Sequence, residues 1–234
     1  MIHLKRMTSD KSGFTIVELM VATLVFAIIL VVITSGIIHF TADYYKGVNT
    51  SATQTAARNI ANIIAQNLQY GGGQDVYDGS HAAAGYICVG ATRIDYNLGY
   101  ELTANPISSS NYAIVVSADD CSTATFPSAA KQPKEYLGPH MRVTNLKITR
   151  VLGVTNNLYK ISIGVAYGDP DLLCARNIPA TNPGGCAPTQ SVPATASFWT
   201  SNGAFIGCKG ITGSEYCAAA RLNTEVVSRF GLSS

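Results

Sequence analysis

From Phe14 to Phe40 the sequence reads FTIVELMVATLVFAIILVVITSGIIHF, and Glu18 is its only charged residue. The 25 residues Phe14–Ile38 are enough to cross a bilayer as a helix with some tilt. Nothing else in the chain approaches this length of apolarity. A secretory signal has a shorter apolar region and usually ends in a small-residue cleavage site. This run is too long for that and carries an acid near its start. Lys5, Arg6 and Lys11 precede it and are answered only by Asp10, whereas Asp43 and Lys46 balance each other behind it. By the positive-inside tendency the tip stays in the cytoplasm and the bulk of the chain is exported.

The cysteines, read independently, agree with export. Cys88, Cys121, Cys174, Cys186, Cys208 and Cys217 all lie beyond the apolar run, are even in number and show no CxxC spacing. Disulfides in an oxidising compartment fit them better than a zinc site, with buried free thiols as the alternative. Sequence proximity favours Cys174–Cys186 and Cys208–Cys217, which leaves Cys88–Cys121. Composition narrows the partners. Hydrophobic residues make up 47% of the 234, which excludes a disordered chain. Without its first 13 residues the chain has 13 basic and 13 acidic side chains, so no basic excess awaits a run of phosphates.

Beyond the apolar run, residues 41–69 contain no proline and one glycine, Gly47. Tyr45, Val48, Ala52, Ala56, Ile60, Ile63, Ile64 and Leu68 recur at three- and four-residue steps. That spacing predicts one apolar stripe on an otherwise polar helix, ended by Gly71-Gly72-Gly73. As one helix, Phe14–Gln69 would span roughly 84 Å; the alternative is a break near Gly36 or Gly47. Strand signals follow. Leu158–Tyr167 alternates apolar and polar residues, and Met141–Arg150 precedes it across a connection at Gly153–Asn157. The apolar parity of the earlier segment shifts between Val143 and Leu146, which points to a bulge or a late start. Tyr112–Ser117 and Glu225–Phe230 supply further strands, and Asn177–Pro193 reads as a loop. The expected fold is α+β: a long N-terminal helix packed on an antiparallel sheet, with a disulfide-bearing C-terminal region.

The stretch Lys11-Ser12-Gly13-Phe14-Thr15-Ile16-Val17-Glu18-Leu19-Met20-Val21-Ala22 resembles the leader junction of type IV prepilins and the related secretion pseudopilins. The resemblance covers about residues 11–40; the rest matches only in layout. It implies cleavage between Gly13 and Phe14, N-methylation at Phe14, and a role for Glu18 in subunit assembly. It divides the chain into a leader (1–13), a membrane and filament-core helix (14–40), its amphipathic continuation (41–72) and a β-rich head (73–234). The implied partners are a prepilin peptidase, other pilin subunits, an assembly platform in the inner membrane, and the lipid bilayer before assembly. The destination is a surface filament, with an unknown ligand at its tip. Elementary physics supports the grouping. A carboxylate inside a membrane helix is retained only when it has a partner. Cleavage creates an amine at Phe14 one helical turn from Glu18, and in the family a neighbouring subunit's amine is taken to guide assembly.

Other chemistry is thin. His3, His39, His81 and His140 are scattered, without HExxH or paired spacing. Asp169 and Asp171 could join a calcium site, but a solvated turn is the simpler reading. Tyr77, Tyr86, Tyr96 and Tyr100 with Arg93 could form a sticky surface, but half-buried sheet tyrosines are commoner. Neither an enzyme nor a cofactor nor a metal is expected. A minor pilin is favoured over a major one, because the mature part is long and its body idiosyncratic. A type II secretion pseudopilin and a filament-tip adhesion or DNA-uptake module are the competing readings.

Overall fold

The computed structural model describes residues 13–70, 76–78, 84–102, 107–109, 111–118, 125–151, 158–176, 205–209 and 213–229. Its first element is a helix, α1 (Ile16–Tyr70), which continues through both Gly36 and Gly47. A Cβ built on either glycine meets nothing within 4 Å, so neither marks a close approach or a kink. The chain divides into two compact units, one up to Asp43 and one from Tyr44 onward.

In the first unit the helix is apolar all round. Its best window has a mean hydropathy of 3.0 and none of it is buried within the protein. By length and composition it can cross a membrane. Two of its polar side chains satisfy themselves on their own helix. Thr23 Oγ1 donates to the Met20 carbonyl (3.0 Å) and Thr41 Oγ1 to the Ile37 carbonyl (2.8 Å). Such back-bonding removes the penalty of carrying a hydroxyl into hydrocarbon.

Among the described residues, the second unit holds the rest of α1 and ten strands. A five-stranded antiparallel sheet has the order β1 (Val76–Asp78), β2 (Ala84–Val89), β3 (Thr92–Asn97), β4 (Ile114–Ala118), β5 (Lys134–Glu135). A three-stranded sheet places β7 (Leu158–Tyr167) between β6 (Met141–Arg150) and β10 (Ala218–Val227). A third pairs β8 (Leu173–Arg176) with β9 (Phe205–Cys208). The expected strands Met141–Arg150 and Leu158–Tyr167 are β6 and β7, and the parity shift is a bulge between Val143 and Asn145. The extra residue, Thr144, turns its hydroxyl onto the opposite strand at Gly164. A Cβ there would run into Thr144 Oγ1, so a side chain at this position would force Thr144 to move.

One apolar core joins the helix to both large sheets. Ala57, Ile60, Ala61, Ile64 and Leu68 of α1 pack with Ile87 and Ile94 of the first sheet and with Val143, Ile161 and Ile163 of the second. The helix thus packs on antiparallel sheet as expected, and the stripe meets two sheets rather than one. Small alanines alternate with large aliphatics along the stripe, which lets the backbone approach two sheets at once. The start of the stripe also differs from expectation. Tyr45 and Val48 stay 43% and 46% exposed, and the neighbouring polar Asn49 and Thr53 are buried instead. Asn49 Nδ2 donates to the Glu215 carbonyl (3.3 Å), and Thr53 Oγ1 donates to the Asn49 carbonyl (2.6 Å). Here the helix faces backbone of the C-terminal region, and backbone needs polar partners.

The last strand runs Ala218–Val227 rather than from Glu225, and pairs along its whole length with β7. Phe230, the Gly71–Gly73 terminator, the Gly153–Asn157 connection and the Asn177–Pro193 loop lie outside the described residues. Tyr112–Ser117 appears as β4, shifted two residues at its start, with Tyr112 and Ala113 buried ahead of it.

Candidate functional site

Gly13, Phe14 and Thr15 lead into α1 and are exposed, Phe14 at 86%. The helix begins with a reciprocal cap. Thr15 N–H and Oγ1–H both donate to Glu18 Oε2 at 2.9 Å, and Glu18 N–H donates back to Thr15 Oγ1 at 3.2 Å. The Thr15 carbonyl accepts the first helical bond, from Leu19 N–H at 3.2 Å. Thr15-Ile16-Val17-Glu18 is a capping box: a Thr at the cap, and a Glu three residues on that returns to the cap's amide. Two donors that a helix start leaves orphaned are satisfied this way. The box was visible in the sequence as T-x-x-E, but Glu18 was read there only as an assembly group. The carboxylate therefore has partners inside its own chain. Both fall on Oε2, and Oε1 takes no part in the box.

Around this cap, the large apolar side chains of the first unit are exposed among the described residues. Leu19, Met20, Leu24, Phe26, Val31 and Ile38 are each between 61% and 69% exposed. Burying such side chains is worth about 1.5–3 kcal/mol apiece, so the segment calls for an apolar environment.

The cysteine expectations have a partial answer. Cys208 and Cys217 are joined, with Cα atoms 5.8 Å apart. Cys88 and Cys174 are disulfide-bonded too; the expected Cys88–Cys121 and Cys174–Cys186 pairs each have a member outside the described residues. The Cys208–Cys217 link ties β9 to the turn Ser214–Tyr216. That turn meets α1 through the Glu215 carbonyl and through Tyr216, whose ring lies 5.6 Å from that of Tyr45.

Among the described residues, three arrangements of charged groups stand out, one buried, one part-buried and the third partly open. Arg93 and Asp95, both on β3, make a forked pair with Nη2–Oδ1 at 2.7 Å, their side chains 1% and 4% exposed. Arg93 also stacks on Tyr86, its Cζ 4.0 Å from the ring centroid. Tyr96 is buried and Tyr100 donates to Asn111 Oδ1 at 3.2 Å, so these tyrosines belong to the sheet rather than to a sticky surface. The Glu135 carboxylate accepts the N–H groups of Ala113, Ile114, Tyr136 and Leu137 at 2.8–3.2 Å. Burial pushes this carboxyl above its ordinary value, and the four backbone donors oppose that shift. Third, Glu101 Oε1 lies 2.8 Å from His140 Nδ1, while Glu101 Oε2 accepts from Arg142 Nη2 at 2.7 Å. Burial pulls the Arg142 guanidinium down, and Glu101 and Asp169 pull it back up. Sequence reading noted Asp169 and His140 separately and missed Glu101. Their meeting depends on strand pairing, which leaves no local signal.

Residues 8–34 match the family model of the prokaryotic N-terminal methylation motif. No curated protein and no solved structure matches the chain. The matched segment contains Gly13, Phe14, the Thr15–Glu18 box and most of the uncovered apolar helix. The chain thus carries a prepilin signal of the type IV pilin and pseudopilin kind. That motif implies processing by prepilin peptidase and assembly with other pilins, and it belongs to a structural class, not an enzyme class.

Proposed function

We propose that this chain is a minor pilin: cut between Gly13 and Phe14, N-methylated at Phe14, held in the inner membrane by residues 14–40, and then drawn into a surface filament. The observation that carries the reading is the coincidence of the methylation motif with a capped helix whose apolar side chains are uncovered. A bilayer covers them before assembly, and the same segments of other subunits cover them afterwards. The capping box supplies a holding state for Glu18. While the subunit is alone, Thr15 supplies donors to the carboxylate. In the filament, a neighbour's Phe14 amine offers a charged partner, and charge-assisted bonds are stronger than neutral ones.

Processing is tested with Gly13→Leu. A Cβ at Gly13 meets nothing within 4 Å among the described residues, so no clash opposes the substitution. Leader removal should stop because the peptidase must approach the backbone closely at this glycine. Mature N-termini at Phe14 in the variant would refute the assigned junction. Filament membership is tested by mass spectrometry of sheared surface filaments. Recovery there, substoichiometric to a major subunit, is the expected result. Recovery only with a secretion apparatus that lacks a retraction motor would move the chain to the secretion pseudopilins.

A further inference from the structure

Glu101, His140 and Asp169 come from three separate segments, yet each presents one ligand atom within 4.8 Å of the other two. Backbone bonds hold all three segments. Gly99 N–H donates to the Val143 carbonyl (2.7 Å) and Leu102 N–H to the Met141 carbonyl (3.2 Å), so the turn carrying Glu101 lies along the start of β6. Gly168 N–H donates to the His140 carbonyl (3.1 Å), closing the β6–β7 pair just beyond Met141 and Tyr167. His140 and Asp169 therefore flank the same end of one strand pair. The His140 ring stands edge-on to Tyr167, with centroids 6.4 Å apart.

Arg142 adds an independent observation. Its side chain is only 4% exposed, and Nη2 donates to both Glu101 Oε2 (2.7 Å) and the Gly168 carbonyl (2.8 Å). Its Nε is buried without a hydrogen-bond partner among the described residues. An orphaned guanidinium donor costs stability, yet the two Nη2 bonds hold Arg142 against Glu101 and Gly168. What it achieves is orientation: Glu101 Oε2 is held, and Oε1 is turned to His140. Carboxylates and histidines that bind metals are commonly oriented by such outer partners. The ligand side is open, with His140 61% and Glu101 27% exposed.

We propose that Glu101 Oε1, His140 Nδ1 and an Asp169 carboxylate oxygen bind one divalent transition-metal ion of the zinc type. One imidazole with two carboxylates suits such ions, whereas calcium takes six to eight oxygens and has no use for the imidazole. The imidazole binds through Nδ1 with its proton on Nε2. The two carboxylates carry more negative charge than Arg142 cancels, which favours a dication. Water completes the coordination on the open side. Bound metal would pin the Glu101 turn to the β6–β7 end and so stiffen the head.

The test uses the full-length chain in detergent, stripped with chelator and titrated calorimetrically with Zn2+, with Ca2+ in parallel. His140→Gly is the informative variant. His140 has φ 60°, a conformation glycine adopts without strain, so the ligand is lost without harm to the fold. Wild type should bind one equivalent of Zn2+ and melt higher with it. His140→Gly and Asp169→Asn should each lose at least about tenfold in affinity and the zinc-dependent rise in Tm, while Tm without metal is unchanged or raised. His39→Ala, far away in sequence on the apolar helix, should behave as wild type. Cobalt should give a d–d absorption band that vanishes in His140→Gly. No stoichiometric zinc binding, or equal binding in His140→Gly, overturns the proposal. So does calcium binding that needs Asp169 but not His140.

Discussion

The two parts of α1 share one backbone geometry and have opposite surfaces. Up to Asp43, valine, isoleucine, leucine and phenylalanine stand in the open on every side. From Tyr44 on, a stripe of alanines and aliphatics is buried to 8% exposure or less, and polar residues hold the other faces. Bulk apolar residues without a stripe suit an environment that is apolar in all directions. A narrow stripe with small residues suits a helix seated on sheets. The first part is thus stabilised by its surroundings and the second by its own chain, and substitutions in the two should register in different assays.

The largest contrast is expected between Ile60→Ala and Ile29→Ala. Ile60 is fully buried in the core of the second unit, and truncating it should cost about 2–5 kcal/mol. Ile29 is 49% exposed, and its truncation should leave the denaturant midpoint of the detergent-solubilised protein within error. Comparable losses at both sites would mean that the first part is folded against protein after all.

Next in size is the Cys208–Cys217 link. Opening it in Cys217→Ser releases a short loop that backs the Asn49 and Tyr45 contacts, and should cost about 2–3 kcal/mol by the loop-entropy relation. The loss should appear in thermal unfolding under non-reducing conditions, with leader removal unaffected. Impaired processing in this variant would tie the two parts together in a way the separate stabilities do not allow.

Glu18→Ala should do the reverse. Unfolding of the second unit should match wild type, and membrane insertion and processing should survive or improve, while recovery in sheared filaments drops by about tenfold or more. Equal recovery would show that charge pairing is dispensable for this subunit. Thr15→Val should have the smallest effect. It removes the cap hydroxyl and about 1 kcal/mol of first-turn stability, but leaves the carboxylate for a neighbour's amine. Filament recovery should fall less than in Glu18→Ala. A larger fall would mean that the box, rather than the intersubunit pair, governs assembly.

Legibility followed the range of the interactions. The β6–β7 pair was readable from alternation, and its bulge from the parity shift at Val143–Leu146. The β2–β3 hairpin was not, because Arg93 and Asp95 look like solvent-facing residues and in fact neutralise each other under Tyr86. Asn49 and Thr53 misled in the same way: polar residues normally mark the exposed side, but Asn49 donates to the Glu215 carbonyl and Thr53 to the Asn49 carbonyl of its own helix. Glu101, His140 and Asp169 meet only after β6 and β7 have paired.

By itself, the sequence determined the long helix and its apolar first part, and it carries the motif on which the proposed Gly13–Phe14 junction rests. Those rest on neighbours within one or two turns, where composition and spacing are the whole cause. The capping box belongs with them, since Thr15 and Glu18 are three residues apart. Only the tertiary structure decided that α1 packs on two sheets rather than one, and which polar residues go inside. It also decided that a glutamate, a histidine and an aspartate share one corner of the head. Those outcomes depend on which strands pair and in what register, and pairing energy is spread over residues far apart in the chain.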